Sequence, residues 1–223
     1  MKNESVKVPH SPYFWFLIYL AAIAAFTAIG PAEKTLGTNV RLVYLHGVWV
    51  WAALAAFLTA GITGALGLLC GFLYRSGVLH RELCPTLHRW SRALGRTGIF
   101  FWITYLPISL WAMQANWNGL FLAEPRWRVG LIFAIGGLVL QVGVSLLDDP
   151  IWASVSNIIF AIVLFVALQS TEQVMHPASP IFGSDAWRIQ VFFLALIALT
   201  LLAAWQLARW WRSRDQAVEP LTR

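Results

Sequence analysis

Charge is what this sequence has least of. Only 12% of its 223 residues are Asp, Glu, Lys or Arg, where a soluble domain carries roughly a quarter. A water-soluble fold of this length is thereby excluded, the more so because 59% of the chain is hydrophobic. Cysteine is scarce too. Cys70 and Cys84 stand alone, too few for a disulfide framework, and neither belongs to a Cys-x-x-Cys-His haem-attachment motif. A glycine-rich phosphate loop, a His-Glu-x-x-His motif and a Gly-x-Ser-x-Gly elbow are all missing. No internal repeat or low-complexity stretch divides the chain, so residues 1–223 read as a single domain.

What the sequence does have is apolar runs near the about 20 residues that cross a bilayer. Six can be marked: Tyr13 to Gly30, Leu42 to Tyr74, Thr97 to Ala115, Val129 to Leu147, Ile151 to Ser170 and Ile189 to Leu207. The expected fold is all-α, a polytopic membrane protein with six transmembrane helices in one bundle. The second run is longer than one bilayer needs, and Gly61, Gly64, Gly67 and Gly71 mark a small-residue packing stripe along it. Pro107 is expected to kink the third, and Asp148-Asp149-Pro150 to make a tight turn. The N-terminal segment, Met1 to Pro12, leads directly into a span too long for a signal-peptide core and shows no convincing cleavage site.

The net charge of +6 is read through topology rather than as a nucleic-acid footprint, because membrane proteins keep Lys and Arg in the cytoplasm. With the N-terminus inside, the cytoplasmic face takes Lys2, Lys7, Arg75, Arg81, Arg89, Arg92, Arg96, Arg209, Arg212, Arg214 and Arg223. The other face takes Lys34, Arg41, Arg126, Arg128 and Arg188. Both termini are therefore expected inside, with Trp210 and Trp211 as an interfacial anchor. Cys70 and Cys84 then sit near or in the reducing compartment, where structural disulfides are rare, and are expected not to form a functional pair.

This topology sorts the histidines. His46 falls near the outer end of the second span, in Arg41-Leu42-Val43-Tyr44-Leu45-His46-Gly47-Val48-Trp49-Val50-Trp51, and His176 in the outer loop before the sixth. His10 precedes the first span. His80 and His88 fall in a basic cytoplasmic loop and are expected to be solvated or lipid-facing. An interfacial histidine is commonly just a hydrogen-bonded surface residue, yet two on one face suit haem iron. Zinc would want three or four ligands, and no outer cysteine or acidic cluster supplies them. The outer loop from Gln114 to Trp127 holds Trp117, Phe121, Glu124 and Arg126, either an aromatic belt or a shelf for a porphyrin. Arg41, Arg126, Arg128 and Arg188 sit at outer span ends, where snorkelling is the default and bidentate binding of a haem propionate is the alternative.

At these residues the sequence resembles the CcmC/CcsA-type haem-handling proteins of cytochrome c biogenesis. Val40-Arg41-Leu42-Val43-Tyr44-Leu45-His46 looks like the family segment with the first external histidine, and Met175-His176-Pro177-Ala178 like that with the second. Six spans match the short, CcmC-like branch, and the resemblance covers most of the chain. It implies that His46 and His176 are axial ligands of a haem b at the outer face of a prokaryotic cytoplasmic membrane. Trp49, Trp117, Phe121, Arg41, Arg126, Arg128 and Arg188 would surround that haem. It further implies haem transport to a partner: a haem chaperone, an ABC-type haem-delivery complex or another membrane subunit. The tryptophan-rich WWD motif of the family is altered here, with Leu120, Phe121 and Ala123 where tryptophans are expected. No catalytic acid or nucleophile is needed, so a haem carrier is expected rather than a catalyst. The alternative is a structural or electron-transfer subunit of a larger membrane complex, holding a permanent b-type haem.

Overall fold

The structure is a computed structural model and describes residues 11–76, 83–172, 181–183 and 185–218. Six helices make up most of it: α1 (Pro12–Ala28), α2 (Val40–Arg75), α3 (Leu83–Trp117), α4 (Pro125–Leu147), α5 (Pro150–Ser170) and α6 (Trp187–Val218). The all-helical expectation holds among the described residues. Helices α2 to α6 are long and apolar enough to cross a membrane, whereas α1, at 17 residues, is shorter.

Proline sets three of the helix starts. Pro12, Pro125 and Pro150 each occupy the first helical position, where the missing N–H is no loss and φ is already helical. Ser11 and Asp149 complete two of these caps, their side-chain oxygens accepting from the amides of Tyr13 (3.1 Å) and Ile151 (2.8 Å). Between α4 and α5 the chain reverses through Asp148, which adopts a left-handed φ of 48°. At Pro107, where a kink is expected, α3 continues as one helix.

Two helices run far beyond their apolar windows. Helix α3 begins at Leu83, not near Thr97, and α6 continues to Val218, not Leu207. Hydropathy ends where arginines begin, but these arginines are paired or stacked inside the bundle. Arg96 donates to Asp215 at 2.8 Å and Arg92 to Asp148 at 3.1 Å. Arg212 lies 4.5 Å over the Trp90 ring, and Trp90 stacks on Trp205 at 4.8 Å.

Helices α2 and α3 form the central pair, with α5 and α6 packed on both, α1 against α6 and α4 against α3 and α5. Small residues permit the close approach. Ala53, Ala56, Ala60, Gly61, Gly64 and Gly67 are buried on α2, and a methyl at Gly64 would lie 3.0 Å from the Ser154 carbonyl oxygen. The glycine stripe therefore packs as expected, except at Gly71, which faces open space. Large rings fill the remainder: Tyr44, Phe101 and Trp102 are almost fully buried. Ile132, Ile135, Val139 and Leu146 on α4, with Ile159, Ile162 and Val166 on α5, point outward, as lipid-facing helices do.

Candidate functional site

The alternating helices give the bundle two ends, and a histidine lies at each. At the end formed by the starts of α2 and α4 and the close of α3, a cavity of about 360 Å³ opens beside half-buried His46. That volume falls within the ordinary range of ligand and cofactor sites. Its wall is built by helical periodicity. Helix α2 contributes Val43, His46, Gly47, Val50 and Trp51, and α3 contributes Trp102, Tyr105, Ser109, Ala112 and Met113. Each set is one stripe of a 3.6-residue helix. The His46 and Tyr105 rings meet across the floor, with centroids 5.6 Å apart.

The mouth carries the polar groups. Glu124, Arg126 and Trp127, at the start of α4, line it together with Trp117 from the end of α3. Arg126 donates through one terminal nitrogen to the Leu168 carbonyl at 3.1 Å. Its Nε and the indole Nε1 of Trp127 are both buried and meet no acceptor among the described residues. Buried donors are seldom left so, because each loses its hydration without recompense. An acceptor-rich ligand in the cavity would satisfy them.

The expected site residues divide. His46, Trp117 and Arg126 line the cavity. Trp49 does not: it is buried between α2 and α3, its Nε1 donating to Thr104 Oγ1 at 3.0 Å and its ring 5.3 Å from Phe101. Two positions separate Trp49 from Trp51 and turn their side chains about 200° apart, so Trp51 takes the place at the wall. Arg41 donates to the Gly30 carbonyl (2.9 Å) and Arg128 to the Leu122 carbonyl (3.2 Å), so both serve loop structure. Arg188 lies 5.6 Å over Trp187, and Phe121 is exposed beside Gly119. His176 lies outside the described residues. Tyr105, Met113 and Trp127 were not singled out as ligand-contacting from the sequence. Stepping from His46 and Trp102 at helical intervals would have found the first two.

At the other end the space around the histidine is closed. His88, expected in a solvated loop, is buried within α3, and its Nδ1 lies 2.7 Å from Ser154 Oγ. Ser154 donates to the Pro150 carbonyl (3.1 Å), which leaves its oxygen to accept from His88 Nδ1–H. Deeper in, Asn157 donates to the Ser91 carbonyl at 2.8 Å, Ser91 to the Ala60 carbonyl at 2.8 Å and Gln141 to Asn157 at 3.1 Å. Every member of this network has a partner, as polar groups buried among helices require. Its role is to join α2, α3, α4 and α5.

Cys70 and Cys84 overturn the expectation that they do not pair. They form a disulfide between the end of α2 and the start of α3, with Cα atoms 5.4 Å apart, within the range a disulfide spans. Because α3 starts well before its apolar window, Cys84 stands on the helix that packs against α2 rather than in a loop. Among the described residues no group of three or more His, Cys, Asp or Glu side chains could hold a metal ion. Comparison of the chain with family models, curated proteins and solved structures finds no match.

Proposed function

We propose that this chain is a haem-binding membrane protein, with haem b held in the His46 cavity and passed to a partner in cytochrome c biogenesis. The observation that carries this is the pairing of an imidazole with two buried, acceptor-seeking donors, Arg126 Nε and Trp127 Nε1, around one mostly apolar cavity. Haem needs all three: an aromatic shelter, a ligand for iron and cations for its carboxylates. His46 would supply one ligand to the iron and His176 the second. Trp51, Trp102 and Tyr105 offer ring surface, and Arg126 neutralises a propionate. Haem supplies the iron. The residues here hold it, orient it and keep lipid from the metal.

In this reading α1 crosses the membrane as well, giving six spans, with both termini cytoplasmic and the His46 end outside in a prokaryotic cytoplasmic membrane. The basic residues clustered at the closed end support that orientation. Partners would be a haem chaperone, an ABC-type delivery complex or another membrane subunit. A second reading, a permanent b-haem subunit of a larger complex, is favoured by one observation. Leu120, Phe121 and Leu122 are exposed, and none lines the cavity, so the altered stretch of the handover loop gives no side chain to the site.

Haemin titration of the detergent-solubilised protein tests the binding. Saturable quenching of tryptophan fluorescence at one haem per chain is expected, with loss of saturation in Trp51→Ala. Reporter fusions after Arg75 and after Arg212 should read inside, and near Ser179 outside. An inside signal near Ser179 would separate His46 from His176 and end the shared-haem reading.

A further inference from the structure

The disulfide lies at the wrong end for a structural staple. It joins α2 to α3 at the end carrying Arg75, Arg89, Arg92, Arg96, Arg209, Arg212 and Arg214, which the positive-inside rule assigns to the cytoplasm. A permanent disulfide is rare there because cellular thiols reduce it. The two sulfurs also differ in access. Cys70 is 3% exposed, whereas Cys84, in the first turn of α3, is partly exposed.

From this placement we infer that Cys70 and Cys84 are a reversible dithiol–disulfide site, exchanging with glutathione or a dithiol protein at the cytoplasmic surface. The inference rests on the proposed orientation and is independent of haem. A thiolate of the incoming reductant attacks Sγ of Cys84, the more exposed residue of the two. A new bond joins reductant and Cys84, the Cys70–Cys84 bond breaks, and its electron pair leaves on Cys70, which takes a proton from water. A second thiol, the other one of a dithiol protein or that of a second glutathione, is deprotonated, attacks the reductant's sulfur in the mixed disulfide and frees Cys84 as a thiolate, which is protonated in turn. Two electrons and two protons have passed to the pair, and the reductant leaves as a disulfide.

The exchange bears on the fold through His88. It stands one turn inward of Cys84, and Gly67 one turn inward of Cys70. The His88 ring packs so closely on Gly67 that a methyl there would lie 2.8 Å from ring atoms. The oxidised pair thus clamps the two backbone segments that seat His88. Reduction releases the covalent tie and leaves the Ser154 contact to hold the ring.

The test uses the full chain in its native membrane. Because the sequence has two cysteines, acid-trapped cells treated with a polyethylene-glycol maleimide report the redox state directly as zero or two adducts. Two adducts are expected in growing cells and none after brief diamide treatment, with return to two when diamide is removed. In membranes with oxidised glutathione, Cys70→Ser should accumulate a glutathione adduct on Cys84, and Cys84→Ser should lose that adduct because Cys70 is buried. Zero adducts in growing cells would overturn the proposal, as would two adducts that diamide leaves unchanged. A membrane-impermeant maleimide that labels reduced intact cells from outside would also overturn it, and would show the orientation to be the faulty premise. Equal glutathione adducts on both single variants would refute the route through Cys84.

Discussion

The two ends of the bundle treat the same side chain in opposite ways. Each carries a histidine on a long helix, near aromatic rings and small residues. At the closed end His88 fills the space left by Gly67, meets Ser154 and sits beside a polar network whose members are hydrogen-bonded to one another. At the open end His46 borders a cavity whose mouth holds an arginine and a tryptophan with buried donors that meet no acceptor among the described residues. Around the two histidines themselves the difference is one of volume, not residue type. A glycine on the facing helix lets the bundle close on His88, while at His46 the facing positions, Tyr105 and Ser109, leave space. A satisfied histidine holds helices together, and one beside unfilled space can hold something else.

Filling the closed end should break it first. At Gly95 a methyl would collide with the Asn157 side-chain amide, so Gly95→Ala must displace a group bonded to both Ser91 and Gln141. Overpacking of this kind costs about 1–3 kcal/mol. A clear drop in the temperature at which the detergent-solubilised monomer is lost from size-exclusion profiles is expected. An unchanged midpoint would mean that the network yields easily and is not the closed structure described.

Arg126→Gln sharpens the contrast from the open end. The arginine spends one nitrogen on the Leu168 carbonyl, and its Nε meets no acceptor among the described residues. Losing a charge-assisted hydrogen bond to a carboxylate costs about 1.5–3 kcal/mol, so haemin binding should weaken at least tenfold. Thermal stability without haem should change little. Equal affinity in the variant would remove the arginine from the site, and a large stability loss would make it a structural residue like Arg41.

The smallest effect lies in the connection between α1 and α2. The Leu36 amide and the Thr35 amide donate to the Glu33 carboxylate at 2.9 and 2.7 Å, which holds its pKa below the ordinary 4.5. The turn closed by Glu33 and Gly37 is therefore supported at neutral pH, and that support is lost only as pH falls through the lowered value. In carbon-labelled protein the Glu33 carboxyl should titrate below 4.5. Titration at or above it would show the two amides bonded elsewhere.

Much of this contrast was legible in the sequence, though unevenly. Apolar runs located the helices, and His46 with Arg126 stood out as polar groups in an apolar chain. Helix ends were not legible at α3, because Arg92 and Arg96 look solvated until Asp148 and Asp215, distant in sequence, come alongside. That one misplacement also put His88 and Cys84 into a loop. Trp49 and Trp51 are equivalent as residue types, and only the facing of α2 against α3 decides which ring is core and which is wall. Burial at a helix contact depends on partners that a single sequence does not name.

Haem content of two alanine variants, purified alongside the parent protein from haem-supplemented cells, tests the central claim most directly. The pyridine haemochrome assay and the absorption spectrum should give haem b near one per chain for the parent and for His88→Ala wherever that variant folds. His46→Ala should lose most of its haem and recover part of it with added imidazole. Contradiction would be a parent protein that carries no haem when haem is plentiful, or a His46→Ala variant that keeps the parent's spectrum and content.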